Sequence, residues 1–248
     1  IKSIFDFSAS AQEMGKTKVL LDKSDEAYTS LSEREKLFVD NAQKFGYEGD
    51  FIGLLAKAKT ETRNFSRPIE NNMNYSHEAF KGYFGDKKYQ QAKNLLRPIG
   101  SDGSVGIPKQ NHRALFNIAY GDLNGNKGGD DGFRYRGRGS IHLTGKQNYE
   151  NVGKQMFGDK NYFTDKNRFP DSESLDSWFS DTSNADSSAV AYIIERSNRL
   201  GIKPDSTKNI GELIKGAAGE VQYEGDDISR LEPPTEPRVA VAEQPLPV

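Results

Sequence analysis

Apolar residues recur at helical spacing behind polar caps along most of the chain, and this pattern constrains the fold more than any other feature. After Asp50, a candidate N-cap, Leu54, Ala58, Glu61 and Phe65 follow at offsets of four, three and four. Comparable patterns occupy residues 30–46, 76–83, 86–96, 111–121, 149–158, 186–201 and 210–215. Strand-like alternation is almost absent, so the sequence predicts a mainly α fold.

Several boundaries follow from the cap residues. Ser30 and Glu33 form a candidate capping box, and Ser76, Asn111 and Asp186 are predicted N-caps. Residues 159–185 are predicted to be a long polar loop, and short strand pairing is expected only near Tyr135 and Ile141.

The chain divides into a core domain and two extensions. Residues 30–224 are predicted to form one domain, preceded by a lead-in over residues 1–29. Residues 225–248 carry five prolines and are typical of an extended tail. These extensions suggest attachment to a larger protein or a virion.

Composition argues against several functional classes. The chain has no cysteine and three separated histidines, so no metal site is predicted. A net charge of −2 provides no basic field for nucleic acid, and no stretch approaches the roughly 20 apolar residues that span a bilayer. The glycines between residues 121 and 145 do not complete a dinucleotide or P-loop motif.

Two glutamates are candidate catalytic residues. Glu61 occupies a position on the apolar helical face, where burial would raise its pKa and keep it protonated as a general acid. Glu70 follows Pro68 in a polar segment with Asn71 and Asn74, which should leave it ionised. Such a pair suits glycosidic bond cleavage, whereas solvated surface charges or ion-pair partners are the ordinary alternative.

Residues 121–149, the glycine-rich segment, offer further candidates. Arg134, Arg136 and Arg138 alternate along residues 133–139, so an extended backbone would point all three the same way. They could pair with Glu61 or Glu70, or bind the anionic peptide stems of a substrate such as peptidoglycan. Alternatively, they could form structural salt bridges that order the loop. Tyr75 and Tyr135 could stack on sugars or pack in the core.

Three blocks of sequence resemble a known family. They are Glu61-Thr62-Arg63-Asn64-Phe65, then residues 70–76 (ENNMNYS), and residues 133–145 (FRYRGRGSIHLTG) with Asn148-Tyr149 after them. Together they resemble the lysozyme-like catalytic domain of glycoside hydrolase family 19, in its bacterial and phage endolysin branch. The resemblance covers roughly residues 45–155.

The resemblance implies a lysozyme-like, two-lobed helical fold with a central cleft and an inverting mechanism without metal or cofactor. It implies Glu61 as general acid, Glu70 as general base and Thr144 as a hydroxyl that holds water or substrate. The residues expected to bind substrate are Asn71, Asn74, Tyr75, Arg134, Tyr135, Arg136, Arg138 and His142. The chain departs from the family at Thr60, Arg63-Asn64, His142 and Lys215; His142 keeps hydrogen-bonding capacity, whereas the other changes alter volume or charge near the groove.

The expected function is hydrolysis of β-1,4 bonds between N-acetylated sugars of peptidoglycan, the expected partner. The protein would act in the bacterial periplasm or cell wall, as a phage lysis or virion enzyme or as a secreted effector. A chitinase and an inactive glycan-binding module of a larger particle are the alternatives.

Overall fold

The computed structural model describes residues 23–96 and 109–215, which are mainly helical, as the sequence predicts. Ten helices lie in these ranges: α1 (Glu26–Thr29), α2 (Glu33–Lys44), α3 (Phe51–Thr62), α4 (His77–Ala92), α5 (Lys109–Tyr120), α6 (Asp131–Arg134), α7 (Lys146–Phe157), α8 (Ser172–Ser180), α9 (Thr182–Leu200) and α10 (Thr207–Ile214). No strand forms in the described parts of the chain. Isolated antiparallel bridges pair Arg138 with Ile69 and with Leu143, close to where short pairing was expected.

Local cap chemistry sets several helix ends as predicted. Asp50 accepts a hydrogen bond from the Gly53 N–H at 2.8 Å, and Ser76 accepts one from the Ala79 N–H at 3.1 Å. The C-terminal part of α4 continues past Gly85, whose φ of 79° breaks the helix. Helix α3 stops at Thr62, so Phe65 does not share its face, because Arg63 takes the left-handed conformation.

The predicted capping box is displaced by two residues. Ser32 and Glu35 form the box of α2, whereas Ser30 ends α1 and donates its backbone N–H to Glu26. Asn111 does not cap α5, which already includes Lys109. Its side chain instead donates to the Leu95 carbonyl at 3.1 Å.

Asp186 is not an N-cap. Helix α9 begins at Thr182 with Asp181 as its cap, and Asp186 is 0% exposed inside the helix. Its carboxylate accepts two hydrogen bonds from Arg34, at 2.7 and 3.0 Å, and others from Asn41 and Ser140. Because these donors satisfy the charge, the carboxylate is tolerated inside the core.

Residues 159–185 are not the predicted loop. They contain α8, which begins with a capping box between Asp171 and Ser174. Four of their side chains, Phe163, Phe169, Leu175 and Phe179, are buried in the main core. The segment therefore contributes packing area as well as connection.

Two clusters of buried apolar residues support the fold. The larger cluster includes residues of α2, α3 and α7 to α10, and also Tyr28 from the predicted lead-in. The smaller cluster lies mainly between α4 and α5: Met73, Phe80, Phe84, Ala92, Leu96, Leu115, Phe116, Ala119 and Tyr120. Residues 63–76 connect the two clusters and carry Glu70. The proline-rich residues 225–248 and most of the lead-in lie outside the described residues.

Candidate active site

The chain turns sharply between the two glutamates. Arg63, Asn64 and Phe65 all have positive φ, at 49°, 56° and 62°. After this turn the Glu70 N–H donates to the Gly137 carbonyl at 2.9 Å, and Arg136 Nε donates to the Glu70 carbonyl at 2.9 Å. Both backbone groups of Glu70 are therefore fixed to the glycine-rich segment.

Gly137 permits the close approach of Glu70. A Cβ at this position would lie 3.0 Å from Glu70 Oε2 and 3.1 Å from the Cβ of His142. The Gly137 N–H also donates to Glu70 Oε2, at 3.3 Å. The sequence block therefore needs glycine here because a carboxylate packs directly on its backbone.

Tyr120 reaches the same carboxyl group from the smaller cluster. Its hydroxyl donates to Glu70 Oε1 at 3.0 Å. Burial raises the pKa of Glu70 above its ordinary value, and this effect outweighs His142, Tyr120, Gly137 and Arg136, all of which favour the charged form. The polar segment around Glu70 therefore does not keep its carboxyl group solvated, and its ionised state stays a prediction.

Glu61 lies in the last turn of α3 and is half-buried. Burial raises its pKa, as expected, while the charges of His142 and Lys57 partly oppose the shift. The groups that favour its charged form thus act through space, unlike the hydrogen-bond donors at Glu70. The two carboxyls are in different surroundings.

His142 is electrostatically coupled to both glutamates. Its Nε2 lies 2.7 Å from the Arg67 carbonyl, and because a carbonyl oxygen can only accept, Nε2 carries the proton. The backbone of His142 is left-handed, with φ at 49°. Glu70 and His142 both lie against Gly137, and the charge of His142 acts on Glu61 as well, although the three residues come from separate segments.

Thr144 lies next to this group but faces inward. It is 2% exposed, and its hydroxyl donates to the His142 carbonyl at 2.8 Å. Its own carbonyl accepts from Asn148 at 2.8 Å. These bonds fix the backbone that carries His142.

The three arginines of the glycine-rich segment, Arg134, Arg136 and Arg138, are bound to other parts of the protein. Arg136 and Arg138 pair with Asp176 of α8 at 2.5 and 2.6 Å, and Arg134 donates to the Phe169 carbonyl at 2.5 Å. All three are buried, and Arg134 is helical, so the backbone does not point them the same way. Only Arg136 touches the site, through the backbone of Glu70.

The other predicted binding residues divide into two groups. Tyr135 is buried and packs against Tyr149 with ring centroids 5.3 Å apart. Tyr75 is half-buried against three aromatic rings, and burial together with the charge of Glu70 raises its pKa. Asn71 and Asn74 are exposed on the same segment. Asn71, Asn74, Tyr75 and His142 thus retain accessible surface on the segments that carry the site.

A pocket of about 330 Å³ opens beside Glu61. Lys57 of α3 and residues of α10 line this pocket. The sequence analysis predicts neither the pocket nor the contact of Tyr120 with Glu70. Tyr120 lies four residues after Phe116, which places it on the inner face of α5, but nothing local indicates contact with a residue 50 positions away.

The described ranges contain no group of three or more side chains arranged to hold a metal ion. None of their helices has both the length and the apolar composition needed to cross a bilayer. No protein-family model matches the chain, and comparison with curated proteins likewise finds no match.

Proposed function

We propose that the protein is a glycoside hydrolase that cleaves β-1,4 bonds between N-acetylated sugars of bacterial peptidoglycan. The observation that carries the proposal is the pair Glu61 and Glu70, two half-buried carboxyls in unlike surroundings, both subject to the charge of His142. Two carboxyls of unlike environment are what acid–base cleavage of a glycosidic bond requires.

The surroundings favour Glu61 as the general acid and Glu70 as the general base. Burial raises the pKa of Glu61, which favours the protonated form. Glu70 also has a raised pKa, but its two oxygens accept hydrogen bonds from Tyr120 and Gly137, which favour the ionised form.

In the proposed reaction Glu61 gives its proton to the glycosidic oxygen as the bond from that oxygen to C1 breaks. Glu70 takes a proton from a water molecule whose oxygen attacks C1 from the opposite face. The product therefore has the inverted, α configuration at its new reducing end. Thr144 supports this arrangement through the backbone of His142, and no cofactor takes part.

The substrate groove, in this proposal, runs past Glu61 and along residues 70–75, between the two core clusters. It corresponds to the cleft of a two-lobed, lysozyme-like fold. Asn71, Asn74, Tyr75 and His142 are the proposed substrate contacts. The buried Arg134, Tyr135, Arg136 and Arg138 would act by holding the loop. The enzyme would act at the cell wall, delivered by a phage or by secretion.

Digestion of purified Gram-negative sacculi tests the proposal. The intact chain is expected to release muropeptides with new reducing ends, and Glu61→Gln or Glu70→Gln to lower the rate by about 10²- to 10⁴-fold. The exposed Glu48 supplies the matched control Glu48→Gln, which should retain full activity. Mass spectrometry of the products identifies the bond that is cut.

Failure of the folded intact chain to release reducing ends from sacculi would contradict the proposal. Turnover of chitin oligomers in the same assay, without turnover of peptidoglycan, would instead indicate a chitinase. Binding to sacculi without any hydrolysis would indicate a glycan-binding module.

A further inference from the structure

The pocket beside Glu61 is rich in lysine. Lys57 of α3, Lys208 of α10 and Lys215, the C-cap of α10, line it together with Thr207 and Glu212. The two helices meet closely here, because a Cβ added at Gly211 would lie 3.5 Å from Lys57 Cε. The pocket therefore lies where α3 packs against α10.

Its charges do not cancel. Lys215 pairs with Glu212 at 2.6 Å, whereas Lys57 and Lys208 form no ion pair in the described parts of the chain. With Glu61 protonated, as a general acid must be, these two ammonium groups leave the pocket with a net positive charge. The whole chain has a net charge of −2, so the positive charge is local to this pocket.

We infer that this pocket binds a carboxylate carried by a muramyl residue of the substrate. That residue would lie next to the glycosidic bond whose oxygen Glu61 would protonate. This inference rests on the proposed function and adds a subsite to it. In peptidoglycan the carboxylate is on the peptide stem, or on the lactyl ether where the stem has been removed. Chitin has no carboxylate, so the pocket favours peptidoglycan over chitin.

Lysine suits this role because its ammonium is a flexible point charge that can meet carboxylates in several geometries. Lys57 is half-buried and Lys208 is exposed, so the attraction is partly screened by solvent and depends on salt. Removing both charges should therefore weaken binding of stem-bearing glycan by about fivefold to tenfold at low ionic strength.

The test uses the full chain carrying Glu61→Gln, which is uncharged at this position and does not consume the ligand. Into it are introduced Lys57→Gln with Lys208→Gln, or, as a matched control, Lys44→Gln with Lys154→Gln. The control pair is exposed on α2 and α7 and removes the same charge outside the pocket. Fluorescence anisotropy then gives the dissociation constants of labelled ligands at low and high salt.

Three soluble ligands distinguish the source of the carboxylate: glycan strands with intact stems, amidase-treated strands with free lactyl carboxylates, and chitin hexamer. We expect the pocket variant alone to lose affinity for a carboxylate-bearing strand, and to lose much less for chitin. A loss only with stems assigns the peptide carboxylate, and a loss with stem-free strands assigns the lactyl group.

Equal dissociation constants for the pocket and control variants on both charged ligands would overturn the inference. Sacculus hydrolysis by the intact chain would in that case leave the proposed function standing. Conversely, the binding variants could show that affinity depends on Lys57 and Lys208 while the intact chain hydrolyses no sacculi. That result would refute the proposed function and retain the pocket as a carboxylate site. The two failures are therefore distinguishable.

Discussion

At the scale of single residues, Tyr120 tunes the carboxyl group of Glu70. Its hydroxyl donates to Glu70 Oε1 at 3.0 Å, a hydrogen bond that favours the ionised form and opposes the rise in pKa caused by burial. Tyr120 is itself buried, and its pKa is raised well above the ordinary value, so it remains a donor throughout the working pH range.

Tyr120→Phe should therefore shift the acid limb of the pH–rate profile to higher pH. The variant keeps the ring in the smaller cluster but removes the donor, so the pKa of Glu70 rises and the base is ionised only at higher pH. At a pH below the original limb we expect kcat/KM to fall by about tenfold, the value of one hydrogen bond to a charged group. The measurement is kcat/KM on solubilised glycan strands across pH.

Tyr83→Phe is the control for this substitution, because Tyr83 is exposed and contacts Tyr75 rather than Glu70. Its profile should coincide with that of the intact protein. An unchanged acid limb in Tyr120→Phe would contradict the role of Glu70 as a general base.

At the scale of elements, α8 holds the glycine-rich segment in place. Asp176 pairs with Arg136 and Arg138, and Ser172 accepts hydrogen bonds from the same two side chains at 2.5 and 2.7 Å. Arg138 is 0% exposed, so its charge depends on these partners. Helix α8 thus fixes the backbone on which Glu70 packs.

Asp176→Ala leaves two buried guanidinium groups without their carboxylate. We expect it to lower the free energy of unfolding by about 3 kcal/mol, as measured by urea denaturation, since an uncompensated buried charge is costly. Glu33→Gln breaks the exposed pair with Lys36 and should cause no measurable change. Equal effects of the two substitutions would contradict a structural role for the buried pair.

Local patterns predicted helices well and their exact limits less well. Asp50 and Ser76 cap as expected, each directly before the first residue of its helix. Ser30 and Asp186 do not, because each lies in a run with several Ser, Asp or Thr residues that score alike. Asp186 is buried by Arg34, 152 residues away, a contact that no local pattern contains.

In the candidate site too, features set by local sequence were predictable and features set by distant contacts were not. The two glutamates and the glycine-rich segment can be recognised in the sequence. The rise in the pKa of Glu61 also follows from its position on the apolar face of the helix. The burial of Glu70 and its bond to Tyr120 depend on how α5 packs against residues 63–76. The arginine alternation was misleading because Arg134 is helical, so the backbone does not remain extended.

At the scale of the whole molecule, the two half-buried carboxyls oppose stability at neutral pH. Burial raises the pKa of Glu61 in the folded state above its ordinary value of 4.5. The folded state therefore binds the proton more tightly than the unfolded state. The stabilisation that results is fully present below the unfolded pKa and is lost as pH rises through the folded pKa.

Glu61→Gln should remove this pH dependence. The variant has a neutral side chain at every pH, so its free energy of unfolding should exceed that of the intact protein more at pH 7.5 than at pH 4. Urea denaturation at several pH values measures the difference, with the exposed Glu48→Gln as control, whose difference from the intact protein should not follow this trend. A difference for Glu61→Gln that is constant, or larger at pH 4, would show that Glu61 is not held in a surrounding that favours its protonated form. Since the general-acid role depends on that surrounding, a stability measurement made without any substrate tests the proposed mechanism independently of its activity.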